Sequence, residues 1–369
     1  MKNNIQAKNH VYFNAFLVAF IVHTSQIGLG VAGVQRILYI EAKQDAWIVV
    51  LIAGVLINLT VWVMIQILKE YNHLDIYEIQ KEVFGKWVGG GMNLSLSLYL
   101  LSVYCSIVIG YIEIVQAWIF AEMRAWLLGL ILTLLAVKGV MGGIRVIVGV
   151  SFMVFIGTVG VLYFFYEPIN YANWYYLQPV LEASPGELFR GVKASMYTML
   201  GFEMILFVYP FVKEKNNVLK YAQIGVSFTT LIVCSLTILA IVYFSGEQLE
   251  KTIWASLSMF KIVKLPFLER FEYVAVPVLM VVIFPNLLFY LWSATRGVKT
   301  TFKVPQKYAV YALAAIAFCV IIMFKRRADI NVFVDWVGNI GGVLVIIYPF
   351  VLYSIIKMKK IITNIVKGG

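Results

Sequence analysis

In the run "MYTMLGFEMILFVYP", Glu203 stands among apolar residues, two positions after Gly201 and seven before Pro210. A charge at the centre of a membrane helix costs about 2.5–3.5 kcal/mol on insertion scales for Asp, Lys or Arg, so an ionisable group there faces a cavity or a partner. Glu203 could contact a cation or ammonium group, or gain and lose a proton; the alternative is a neutral carboxyl hydrogen-bonded between helices. A second unusual stretch, "SQIGLGVAG" over residues 25–33, sets Gln26 ahead of Gly28, Gly30 and Gly33. Unwinding about one turn at such glycines frees N–H and C=O groups that hydrocarbon cannot satisfy and that a ligand, ion or water must. A half-helix N-terminus attracts anions and free carbonyls attract cations, so two such breaks suit a zwitterion. Close helix packing is the competing use of the same glycines.

Other polar residues are candidates by spacing. Val103, Tyr104 and Ser106 lie in one apolar run, where Tyr104 and Tyr111 share a helical face at i and i+7 and either pack or touch a ligand. Glu113, nearer the end of that run, is expected to snorkel to the interface. In "VIFPNLLFYLWSA", Pro285 can kink a helix and Asn286 and Tyr290 align at i and i+4, to line a cavity or to bond between helices. "WVGNIGGVL", with Asn339, Gly341 and Gly342, reads as a packing surface. Cys105, Cys234 and Cys319 fall in apolar runs as small hydrophobes. His10, His23 and His73 are too scattered for a metal site. Phosphate-loop, nucleophile-elbow, zincin and paired-cysteine motifs are all missing, so no catalytic residue, metal or cofactor is expected and ATP-driven transport would need another subunit.

The elements that must hold these residues are membrane helices. Of the 369 residues 62% are hydrophobic and 13% charged, against roughly 25% charged in a soluble domain. Ten apolar runs are long enough to cross, near residues 11–40, 45–68, 92–120, 124–141, 144–165, 188–212, 220–243, 271–295, 307–324 and 334–356. The first follows Lys2 and Lys8 but exceeds a signal-peptide core and lacks a cleavage site, so it is expected to be retained. The net charge of +11 is dispersed over loops, which argues for the positive-inside rule rather than for nucleic acid. Lys and Arg are more numerous on the inner side when both termini are cytoplasmic; "FKRRAD", Phe324 to Asp329, runs the other way, partly offset by Asp329 and Asp335.

Long connections at 69–91 and 245–270 recur five spans apart, which predicts a 5+5 inverted repeat. The first contains "LDIYEIQKEVFGKW", with Leu74, Ile76, Ile79, Val83 and Trp87 at helical intervals, an amphipathic surface helix. The second contains "IWASLSMFKIVKLPF", read as a re-entrant or surface helix on the opposite side. One transmembrane domain is expected over 1–369: a first repeat at 11–165, an outer linker at 166–187, a second repeat at 188–356 and a basic cytoplasmic tail at 357–369. The glycine-rich first span and the sixth then occupy corresponding positions as discontinuous helices, the arrangement that marks a transporter-type binding site.

The run "SQIGLGVAGVQRILYIEAKQDAWIVVLIAG", with "GFEM" in the sixth span, resembles the spore germination B-subunit family, a branch of the amino acid, polyamine and organocation superfamily with a LeuT-like fold. The resemblance spans essentially the whole chain. It implies the nutrient-sensing subunit of a germinant receptor in the spore inner membrane, beside a membrane A subunit and a lipoprotein C subunit. It also implies a small germinant, an amino acid first, held between broken helices 1 and 6 and the third and eighth. Carried over by position, Gly28 and Gly30 match the first break and Leu200, Gly201, Phe202 and Glu203 the second, with Val103, Leu200 and Tyr290 setting pocket size. Relatives often place Leu-Pro before the arginine matching Arg36, where this chain has Val34-Gln35, and Gly where it has Ala46. A secondary amino acid or polyamine transporter is the competing reading, and a non-binding structural subunit a third.

Overall fold

The computed structural model describes residues 12–71, 74–263 and 270–368, and these residues are helical apart from short connections. His10, His73 and part of the second long connection lie outside them. The first span is two helices, α1 (Leu17–Gln26) and α2 (Gly30–Ala42), followed by α3 (Ala46–Tyr71). Next come α4 (Ile76–Trp118), α5 (Ala125–Met141) and α6 (Ile144–Val159). The sixth span is again two pieces, α7 (Pro185–Thr198) and the shorter α8 (Phe202–Phe211), bent by 50° at their junction. The chain continues through α9 (Val218–Tyr243), the short α10 (Ala255–Met259), α11 (Glu272–Phe302), α12 (Gln306–Met323), α13 (Arg327–Gly341) and α14 (Tyr348–Gly368). Among the described residues seven helices are long and apolar enough to cross a membrane, and the bent pair makes an eighth. The 42-residue stretch Gly30–Tyr71 is one of the seven and turns at Lys43 (φ 47°) into α2 and α3. With the shorter apolar helices α1 and α5, this yields ten passes, as the apolar runs predict.

Local signals explain the boundaries. Asp75 caps α4 in a reciprocal box with Glu78, and Ser184 does the same for α7 with Glu187, with Pro185 in the first turn. Gly143, at φ 81°, makes the tight corner between α5 and α6.

Two elements depart from expectation. The connection at 69–91 holds the helix its amphipathic spacing predicts, but that helix runs on into the third span: α3 ends at Tyr71 and α4 begins at Ile76, bending at Gly85 (φ 80°, ψ 174°). Ile76, Ile79 and Val83 bury one face before that bend, but Trp87 lies beyond it and is 89% exposed, because the kink breaks the helical phase. The last span starts at Arg327 rather than near 334, since Asp329, Asn331 and Asp335 interrupt its apolar pattern without breaking the helix. It joins α14 through a wider π turn at Gly342–Ile347.

One end of the bundle is tied together. Fully buried Asp75 pairs with Arg296 of α11, whose guanidinium lies 4.9 Å from the centre of Phe211 and 5.3 Å from that of Trp292. Tyr77 Oη donates to the Ser293 carbonyl at 2.9 Å, and Asn93 Nδ2 to the Tyr77 carbonyl at 3.0 Å. Ahead of α1, Phe13 donates its N–H to Phe211 O and accepts from Lys213 N, both at 3.0 Å. Glu214 Oε2 accepts from Ala15 N at 2.8 Å. The start of α1 and the end of α8 are therefore one hydrogen-bonded unit.

Candidate functional site

The two breaks meet. Helix α1 ends at Gln26, Ile27 turns extended (φ −80°, ψ 100°), and α2 starts at Gly30. Across from it, α7 ends at Thr198 and Gly201 adopts φ 125°, a conformation open to glycine and strained for any residue with a Cβ. A side chain on Gly201 would also run into the Ser25 carbonyl, so the second break presses its backbone onto the first. Gln26 Nε2 closes the contact by donating to the Met199 carbonyl at 2.9 Å.

Glu203 sits at this crossing, 2% exposed. Its Oε2 accepts from Gly201 N at 2.6 Å and its Oε1 from Tyr290 Oη of α11 at 3.0 Å. Asn286, one turn before Tyr290, donates Nδ2 to the Ile27 carbonyl at 3.2 Å. The spacing of Asn286 and Tyr290 thus lets one helix touch both breaks. Gly28 accommodates Asn286, whose Nδ2 would lie 3.1 Å from an added Cβ, and Gly30 accommodates Thr198, whose Cγ2 would lie 2.5 Å away.

Some capacity is left over. Ser25 Oγ, Gln26 Oε1, Asn286 Oδ1 and Tyr99 Oη are buried and have no hydrogen-bond partner. Unpaired buried polar atoms cost about 1–3 kcal/mol each, so a cluster of them marks a place where a ligand or water belongs. The amide oxygens, with the Glu203 carboxylate, can accept from an ammonium group, whereas the Ser25 and Tyr99 hydroxyls can donate to a carboxylate.

The sequence candidates divide around this geometry. Gln26, Gly28, Gly30, Gly201, Glu203, Asn286 and Tyr290 come together at the crossing, with Leu200 and Phe202 in the second break itself. Tyr104 instead turns to α5, its Oη 3.3 Å from Thr133 Oγ1, and Tyr111 donates to Val276 O of α11 at 3.3 Å. Ser106 bonds back to Val103 O at 2.8 Å within α4, and Val103 is half-buried. Glu113 lies beside Arg327, Oε1 to Nε 3.1 Å, so part of the discordant positive charge in "FKRRAD" has a partner one helix away. Tyr99 and Ser25 escape the sequence reading: Ser25 is a small hydroxyl inside "SQIGLGVAG", and Tyr99, although Ser106 stands at i+7 from it, is one of several tyrosines in an apolar run. Gly341 and Gly342 are a packing surface as read, making room for Tyr99 and Leu200 and for Tyr197 respectively.

Comparison with known proteins places this geometry. A family described as "Spore germination protein" matches residues 12–330. Spore germination protein GerQB of Bacillus cereus is 36% identical over 349 residues, covering 94% of this chain and 97% of that protein. Spore germination protein A2 of Bacillus subtilis (strain 168) is 22% identical, covering 97% and 99%. A substrate-bound, outward-open Na+-coupled sialic acid symporter has a TM-score of 0.66 at 11% identity, over 92% of this chain and 78% of that one. Mhp1, a nucleobase-cation-symport-1 family transporter closed with bromovinylhydantoin bound, has a TM-score of 0.58 at 13% identity, over 90% and 75%. At these identities the likeness is of fold: a ten-helix, LeuT-like inverted repeat with discontinuous helices 1 and 6.

Proposed function

The chain belongs to the spore germination protein family, and from that premise we propose that it is the nutrient-sensing membrane subunit of a bacterial spore germinant receptor. In this reading it lies in the spore inner membrane with both termini cytoplasmic, beside an A-type membrane subunit and a C-type lipoprotein. Its germinant is an amino acid bound where the two broken helices cross. The observation that carries the proposal is the set of unpartnered buried atoms on Ser25, Gln26, Asn286 and Tyr99 around Glu203. The ammonium group is received by Glu203, Gln26 Oε1 and Asn286 Oδ1, and the carboxylate by the Ser25 and Tyr99 hydroxyls. Binding shifts the receptor only if these contacts differ between resting and signalling arrangements. Leu200, in the second break, limits side-chain size, where one methylene is worth about 1–3 kcal/mol of discrimination.

Spores carrying this receptor, screened with single amino acids against the same spores lacking it, test the proposal. One or a few amino acids should trigger germination only when the receptor is present; equal germination of both strains to every amino acid would sink the receptor reading. The fold shared with two symporters supports a second reading, secondary transport, since one architecture hosts both tasks. Uptake of labelled amino acid into liposomes holding this chain alone would favour it.

A further inference from the structure

Beside the helix crossing, and reaching it at Tyr99, the structure has two neighbouring cavities that share Phe324. A small one, about 230 Å³, lies where α4 and α12 end and α5 begins, and holds charges of both signs, Glu113 and Lys325, beside the apolar Ile112 and Ile321. Glu113 Oε1 is buried without a hydrogen-bond partner, although Arg327 Nε is 3.1 Å away. A larger groove of about 1090 Å³ runs between α4 and α13, walled by Leu98, Val332, Trp336, Ile340 and Val343. Phe324 lines both cavities.

The groove extends along α13 from Asp329 to the π turn at Val343 and Leu344. At 1.5 Å per residue that is roughly 20 Å, more than half the ~30 Å hydrocarbon core. It is larger than the roughly 300–1,000 Å³ of ordinary small-molecule pockets. Its walls stay exposed, with Val332 at 60%, Trp336 at 66% and Val343 at 54%. Two of the polar groups along it bond their own helices, Ser102 Oγ to Leu98 O and Asn339 Nδ2 to Asp335 O, both at 2.9 Å, while the buried Tyr99 Oη at its wall has no partner. An occupant therefore meets mostly hydrocarbon along the groove and charges of both signs at its mouth.

We infer that these two cavities form one binding site for a phospholipid with a zwitterionic primary-amine headgroup. The ammonium donates to Glu113 in the small cavity, the phosphate lies against Lys325 and Arg327, and an acyl chain follows the groove past Trp336 toward Val343. A hydrophobic partner helix would fill the groove but offer nothing to Lys325 or to the Glu113 oxygen that lacks a hydrogen bond. The lipid props α13 against α4. Since Gly341 at the end of α13 abuts Tyr99 and Leu200, the bilayer gains a handle on the helix crossing.

The test uses the purified full-length chain in detergent, with native mass spectrometry and thermal unfolding as readouts. The probes are phosphatidylethanolamine, phosphatidylcholine and phosphatidylglycerol with identical acyl chains, and glycerophosphoethanolamine as the headgroup alone. Phosphatidylethanolamine should bind at least ten-fold more tightly than phosphatidylcholine, whose methylated nitrogen cannot donate a hydrogen bond, and should raise the Tm. Glu113→Gln should abolish that preference while some lipid still binds. Lys325→Gln, at an exposed position, should weaken phosphatidylethanolamine and phosphatidylglycerol alike. Val343→Trp should displace all three lipids without lowering the Tm of the lipid-free protein. Equal affinity for phosphatidylcholine, full affinity for the headgroup alone, lipid binding untouched by Val343→Trp, or a co-purified polypeptide that excludes lipid would each overturn the assignment.

Discussion

The two broken helices are interrupted by different means. The second break closes on itself: Gly201 supplies the unusual backbone angle and its N–H is capped two residues later by Glu203. The first borrows its contacts: the Ile27 carbonyl is held by Asn286 of α11, and Gln26 reaches across to Met199. A self-capped break is a fixed frame, whereas borrowed hydrogen bonds can be exchanged for those of a ligand at little net cost. In the proposed receptor the second break therefore holds the carboxylate in place, and the first adjusts around the germinant.

The severest way to break this asymmetry is Gly201→Ala. It combines a disallowed φ with collision against the Ser25 backbone, so about 3 kcal/mol or more should be lost, and immunoblots of spore membranes should show little or no protein. Glu203→Gln keeps the size and can still accept from the Gly201 N–H, but it removes the charge and turns the contact with Tyr290 Oη from acceptor to donor. The chain should accumulate normally while the germinant concentration for half-maximal germination rises roughly 10–100-fold, the scale of a lost charged hydrogen bond of about 1.5–3 kcal/mol. Gly30→Ala presses on a side-chain methyl rather than on backbone, so its cost of about 1–3 kcal/mol should be recovered in a double mutant with Thr198→Ser, read by thermal unfolding. Asn286→Ala should be mildest, about 1 kcal/mol in affinity with unchanged abundance. Greater damage from Asn286→Ala than from Glu203→Gln would reverse the roles assigned to the two breaks.

Much of the architecture was legible because membrane helices announce themselves by length and apolar content, and both interruptions by glycine. Glu203, Asn286 and Tyr290 were found for related reasons: polar groups in apolar runs stand out, and i, i+4 spacing puts Asn286 and Tyr290 on one face. Tyr99 and Ser25 were not found, because their role depends on which helix packs opposite. The same dependence misdirected the reading at Tyr104, whose spacing to Tyr111 is real but whose hydroxyl meets Thr133. Trp87 shows a different limit: the phase of an amphipathic pattern carries across a sequence only until a residue such as Gly85 breaks it. Tertiary pairing, as between Glu113 and Arg327, leaves no trace in local periodicity.

The most direct test of the central claim is equilibrium binding of the active germinant, once identified by the spore screen, to the purified chain with and without Glu203→Gln. The account predicts saturable binding by the wild type and at least ten-fold weaker binding by the variant, with both proteins equally folded by thermal unfolding. Identical affinities in the two proteins would contradict it and place the germinant away from the crossing of the broken helices.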